Sequence, residues 1–163
     1  MVGSSELNLA LTSDFPSTAN QSVVERMRAS SSRPRIAWIP PFTVMGRKRF
    51  PAAQALFESY GFSALDYCDI DEEPNVAQLA RLDQHDVVYM IGGDPLGFRR
   101  KIIRARLDAG LRQYLAAGGL IVAASGGSTQ FTKNVSLYLV LTVPLDKVDM
   151  NRSEYEALGV VNY

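Results

Sequence analysis

Short apolar runs recur along this chain, separated by segments in which apolar residues return at helical spacing. Leu7-Asn8-Leu9-Ala10-Leu11 alternates apolar with small or polar residues and runs into the turn cluster Thr12-Ser13-Asp14-Phe15-Pro16, which predicts a first strand. Asn20 is placed to cap a short helix reaching Met27, with Val23, Val24 and Met27 on one face. Ile36-Ala37-Trp38-Ile39, closed by Pro40-Pro41, reads as a strand buried on both sides. Phe50, Ala53, Leu56, Phe57 and Tyr60 make a helical stripe that stops at Gly61. Ala64-Leu65-Asp66-Tyr67-Cys68 is a weaker third strand. Pro74-Asn75 opens a short helix through Leu79 and Leu82, and Asp86 to Ile91 forms a fourth strand that ends in Gly92-Gly93. From Arg99 to Ala116 the stripe Ile102, Ile103, Leu107, Leu111 and Leu115 predicts one long helix, stopped by Gly118-Gly119. Leu120 to Ala124 is the fifth strand, running straight into Ser125-Gly126-Gly127-Ser128.

Strands alternating with helices through short connections predict an α/β fold: a doubly wound, mainly parallel sheet with helices on both faces. In such sheets ligands bind beyond the carboxyl ends of the strands. The two glycine-rich strand ends, Gly92-Gly93 and Ser125-Gly126-Gly127, therefore fall on one edge.

Composition changes this picture little. At 163 residues the length fits one domain. Lys plus Arg balances Asp plus Glu at 17 each, so no basic face calls for nucleic acid or an anionic membrane. No apolar run approaches the roughly 20 residues of a membrane span. Cys68 is the only cysteine, which fits a reducing compartment, and the N-terminus lacks signal-peptide features, so a cytoplasmic location is expected. The acidic cluster Asp69, Asp71, Glu72 and Glu73 lacks calcium-loop spacing and a neighbouring histidine, and reads as a solvated loop rather than a metal site.

The candidate chemistry centres on Ala123-Ala124-Ser125-Gly126-Gly127, one residue away from the G-x-S-x-G nucleophile elbow. Small neighbours allow a strained strand-to-helix turn that exposes the hydroxyl, and a backbone N–H of Gly92-Gly93-Asp94, with that of Gly126, is a candidate oxyanion donor. The alternative is a tight turn with an incidental serine. The only histidine, His85, precedes the fourth strand and so belongs to the amino edge, as a surface residue. A strand of ordinary length separates the two edges by about 17–20 Å, too far for hydrogen bonding to Ser125. Gly92-Gly93-Asp94 lacks the lysine and glycine spacing of a phosphate loop, and Cys68 reads as a small packed residue.

These residues resemble the serine peptidases of the dipeptidase E and cyanophycinase type, which have a class I glutamine amidotransferase-like fold. Leu9 to Ser13 is similar to that family's first strand, Val88 to Pro95 to its strand ending in Gly-Gly-Asn, and Ala124 to Ser128 to its nucleophile turn, with Thr132-Lys133-Asn134 following at a matching distance. The resemblance covers nearly the whole chain. It implies Ser125 as nucleophile, Gly93 and Gly126 as oxyanion donors, no cofactor or metal, and hydrolysis of a short peptide, with an N-terminal aspartate as one candidate. Ala123 stands where the elbow has glycine, Gly126 where it has alanine, and Asp94 where asparagine is usual. Glu156 to Tyr163 is similar to the segment that leads, in the family, to a Pro-His bearing the catalytic histidine; Asp146 and Asp149 are the nearest carboxylates for the acid. The expectation is a peptidase-like domain lacking its C-terminal part, impaired as this chain, with Leu137, Leu139, Leu141 and Val143 exposed and prone to self-association. Rival expectations are a non-catalytic binding or assembly module on the same fold, and an amidotransferase-like hydrolase.

Overall fold

The computed structural model describes residues 8–13, 20–70, 82–141, 143–148 and 152–162. Five parallel strands, β1 (Leu9–Thr12), β2 (Arg35–Ile39), β3 (Ala64–Tyr67), β4 (Val87–Met90) and β5 (Leu120–Ala124), form one sheet in the order β1-β5-β4-β2-β3. Ile36 pairs with Val87, Val88 with Ile121, and Ala10 with Val122, so the strands run in step across the sheet. The apolar runs of β2, β4 and β5 are continuous rather than alternating because both faces are covered. Along each strand successive residues divide between two cores. Ala37, Ile39, Val88, Met90, Ile121 and Ala123 face one, and Ile36, Trp38, Val87, Tyr89, Val122 and Ala124 the other.

The second of these faces carries α1 (Gln21–Ala29) through Val24 and Met27, and α2 (Thr43–Ser59) through Phe57 and the half-buried Phe50. Asn20 stands at the N-cap of α1 but makes no side-chain capping bond. Helix α2 begins seven residues before the expected Phe50 and carries Pro51 inside it. The first face carries α3 (Pro95–Arg104) and α4 (Leu107–Ala116), which replace the single helix expected from Arg99 to Ala116. The break falls at Ala105-Arg106, where Arg106 takes a left-handed backbone, φ 54°. It re-aims the stripe: Ile102 and Leu107 are fully buried while Ile103, expected inside, is exposed. Across the break Arg99 of α3 meets Asp108 of α4 with two hydrogen bonds of 2.5 and 3.2 Å.

Beyond β5 the chain runs in short 3-10 turns. Residues 157–161 dock along the segment after Ser125: Leu158 N–H bonds the Gln130 carbonyl at 2.9 Å and Val160 N–H that of Phe131 at 2.9 Å. Leu158 is thereby buried in the first core. Of the apolar residues expected on the surface, Leu141 and Val143 are exposed, joined by Tyr138, Val140 and Leu145, while Leu139 is half-buried. The helix expected after Pro74 lies outside the described residues apart from Leu82, which opens a 3-10 turn, Leu82–Gln84. No helix among the described residues is long and apolar enough to cross a membrane.

The topology fixes where a site belongs. From β2 the chain winds through α2 to β3 on one side; from β4 it winds through α3 and α4 to β5 on the other. Adjacent strands whose connections leave in opposite directions open a crevice at their carboxyl ends. That crevice lies between Pro40-Pro41 and Ile91-Gly92-Gly93.

Candidate active site at the carboxyl edge of the sheet

Ser125 follows β5 directly, and its φ of 49° puts a non-glycine residue in the left-handed region. Such a conformation costs on the order of 1–3 kcal/mol and persists only where the surroundings enforce it. The enforcement is visible on both sides. Ala124 is extended and buried in the sheet, and the 3-10 turn Ser125–Phe131 starts at once. Ser125 itself is exposed.

The two glycine motifs meet. A Cβ at Gly92 would lie 2.8 Å from Ser125 Cβ, and one at Gly126 would fall inside the van der Waals shell of the Gly93 carbonyl oxygen. A Cβ at Gly127 would lie 2.5 Å from the Met90 carbonyl oxygen. Glycine at 126 and 127 is what lets the serine turn sit directly on the end of β4. Glycine at 126 accompanies a backbone approach to Gly93 that a Cβ does not permit. Ala123, in place of the elbow's first glycine, is simply packed in the core.

Hydrogen bonds lock the turn from below. The Ser128 hydroxyl lies 2.7 Å from the Ala123 carbonyl and 2.9 Å from that of Thr12, joining the ends of β5 and β1. Gln130, fully buried, donates from Nε2 to the carbonyls of Gly126 and Pro95, both at 3.0 Å. It ties the turn after the serine to the helix after Gly92-Gly93. Its Oε1 has no hydrogen-bond partner among the described residues. Nothing in the linear pattern singled out Gln130, because its role depends on two loops the fold brings together.

Asp94 is not a free carboxylate at the site. Its two oxygens accept from the backbone N–H groups of Leu96 and Gly97, at 3.1 and 3.0 Å, capping α3 with Pro95 at its first position. The Asp-Pro pair is a helix-start signal, and the positive end of the helix dipole offsets the charge.

His85 sits at the amino edge as expected, yet it is not a surface residue. Its side chain is 7% exposed and its Nε2 lies 2.9 Å from Asp66 Oδ2, which also accepts from Arg35 at 2.8 Å. Burial alone would raise the Asp66 carboxyl; the hydrogen bonds from Arg35 and His85 outweigh it and hold it below the usual carboxylate range. A concavity of about 860 Å3 opens at this amino edge, beside His85, Asp86 and Gly119, away from Ser125.

Cys68 is half-buried, and burial, then the Asp66 charge, pushes its thiol up to about 11. A thiol so shifted is a poor nucleophile at neutral pH. Iodoacetamide at pH 8 is expected to modify it far more slowly than a free cysteine; alkylation at the free-thiol rate would contradict the burial. No cluster of metal-ligating side chains occurs among the described residues.

A parallel sheet with a strained serine at one strand end, against a glycine pair at the next, makes a candidate site at the carboxyl edge. The comparisons with known proteins make this specific. Residues 9–163 match the model of peptidase family S51, and the chain belongs to that family. It is similar to a curated, uncharacterized peptidase of Listeria monocytogenes serovar 1/2a, 23% identical over 96% of this chain and 75% of the relative. Among solved structures it is similar to a putative peptidase E protein from Listeria monocytogenes EGD-e, with a TM-score of 0.68 and 25% identity over 94% of this chain and 74% of that one. A peptidase from an acI-B1 Actinobacterium shares the fold at a TM-score of 0.69 and 18% identity, covering 93% of this chain and 64% of that one. The class I glutamine amidotransferase-like fold inferred from the sequence is that of the peptidase E neighbour.

Proposed function

We propose that this chain is a serine-type peptidase domain in which Ser125 is the nucleophile and the Gly93 and Gly126 N–H groups receive the oxyanion. The observation that carries it is the left-handed, exposed Ser125 held against the Gly92-Gly93 loop. In this reaction Ser125 Oγ attacks a peptide carbonyl carbon and the C–N bond breaks. The amine leaves with a proton, and water then cleaves the acyl ester to restore the hydroxyl. The substrate class is a short peptide, and no cofactor enters.

His85 does not serve as the base, since it belongs to Asp66 at the other edge. A serine site without its base retains only a residual acceleration of about 10³–10⁴-fold over water. This supports a second reading, a binding or assembly module that keeps the fold with little turnover. A fluorophosphonate probe distinguishes them. The chain should label slowly, solely at Ser125, and faster when imidazole in solution supplies a base, while Ser125→Ala should abolish labelling. Absence of labelling with imidazole present, or labelling at another residue, would reject Ser125 as nucleophile.

A further inference from the structure

The crevice between β2 and β4 contains more than backbone. A pocket of about 400 Å3 opens there against Gly93, walled by Pro41, Phe42, Met45 and Ile91, with Arg49 at its border. It is continuous with the candidate oxyanion glycine: a Cβ at Gly93 would lie 2.5 Å from Pro41 Cγ and 3.4 Å from Phe42 Cε2. Lys101 Nζ lies 4.8 Å from the centre of the Phe42 ring and packs it from the α3 side.

Two features of this wall have no explanation within the folded chain. Phe42 and Met45 are among the exposed large apolar side chains, although they flank a concave, site-adjacent surface. Arg49 has no ion pair among the described residues, whereas Arg47, two positions earlier on α2, reaches Asp69 at 3.3 Å. One open cation beside an otherwise apolar wall complements a ligand with one carboxylate and an apolar remainder.

We propose that this pocket holds an apolar amino-acid residue whose free carboxylate meets Arg49. In the reaction proposed for Ser125, on which this placement rests, it is the C-terminal, leaving residue of a short peptide. Its nitrogen then lies toward Gly93 and Ser125, its side chain covers Phe42 and Met45, and its carboxylate pairs with the guanidinium. An acidic side chain alone would leave the apolar wall uncovered, so the pocket discriminates by apolar contact as well as charge.

Titration calorimetry on the 163-residue chain tests this without turnover, using L-leucine, L-phenylalanine, their amides and L-aspartate. Leucine and phenylalanine should bind, and their amides about tenfold more weakly for want of the carboxylate. Arg49→Gln should erase that difference, and Met45→Asp should weaken both amino acids; both positions are exposed, so neither change threatens folding. The proposal is overturned by aspartate binding as well as leucine, by a preference for carboxylate that survives Arg49→Gln, or by no binding. If the fluorophosphonate test fails while this pattern holds, the pocket stands and only the serine's role is lost.

Discussion

Gly126→Ala is expected to lower fluorophosphonate labelling of Ser125, measured with imidazole present, by about a hundredfold, the scale on which a misplacement near 1 Å acts. Urea unfolding of the same variant should show a loss of about 1–3 kcal/mol, as for other overpacked sites. The new Cβ would collide with the Gly93 carbonyl oxygen and stand 3.1 Å from both Gly93 N and Gly93 C. All three are backbone atoms, so no side chain can swing aside. Either the Gly92-Gly93 loop retreats or the serine turn lifts, and each separates the nucleophile from the proposed oxyanion donors. The Gln130 bridge from the Gly126 carbonyl to Pro95 resists both movements. A variant that labels at the parent rate would mean that the loop relaxes freely and that the contact between the two glycine motifs has no bearing on reactivity.

What the sequence reveals of this molecule follows the range of the interaction involved. The central strands β2, β4 and β5 were legible because each is a short apolar run between turn residues, and burial on both faces allows no polar interruption. The start of α2 was not: Arg47-Lys48-Arg49 breaks the apolar stripe, and Pro51 argues for a helix beginning near it rather than running through it. The division into α3 and α4 was hidden as well. The stripe is continuous across Arg106, which carries no glycine or proline to signal a left-handed residue. At the site, Ser125 was legible because small residues around a serine at a strand end form a local pattern. Gln130 and Arg49 carry no such pattern, since the first acts by joining two loops and the second gains meaning only beside the crevice. His85 was assigned to the correct edge by topology, but its burial depends on Asp66, a partner from another strand.

Asp108→Ala should cost about 3 kcal/mol in urea or thermal unfolding, the lower end of what removing one partner of a buried ion pair costs. Arg99 is the buried member, its side chain 7% exposed, against 32% for Asp108. With the carboxylate gone, a guanidinium that cannot lose its proton stays in the first core with no counter-charge, and its Nε already lacks a partner among the described residues. The pair also spans the left-handed break at Arg106, so its loss loosens α4 from α3, the helix whose capped start flanks Gly93. The double variant Arg99→Met with Asp108→Leu removes both charges while keeping apolar volume, and should recover most of the lost stability. A single-variant loss below about 1 kcal/mol, the value of an exposed pair, would show that Arg99 reaches solvent. Failure of the double variant to recover would instead show that the guanidinium's own hydrogen bonds hold the two helices together.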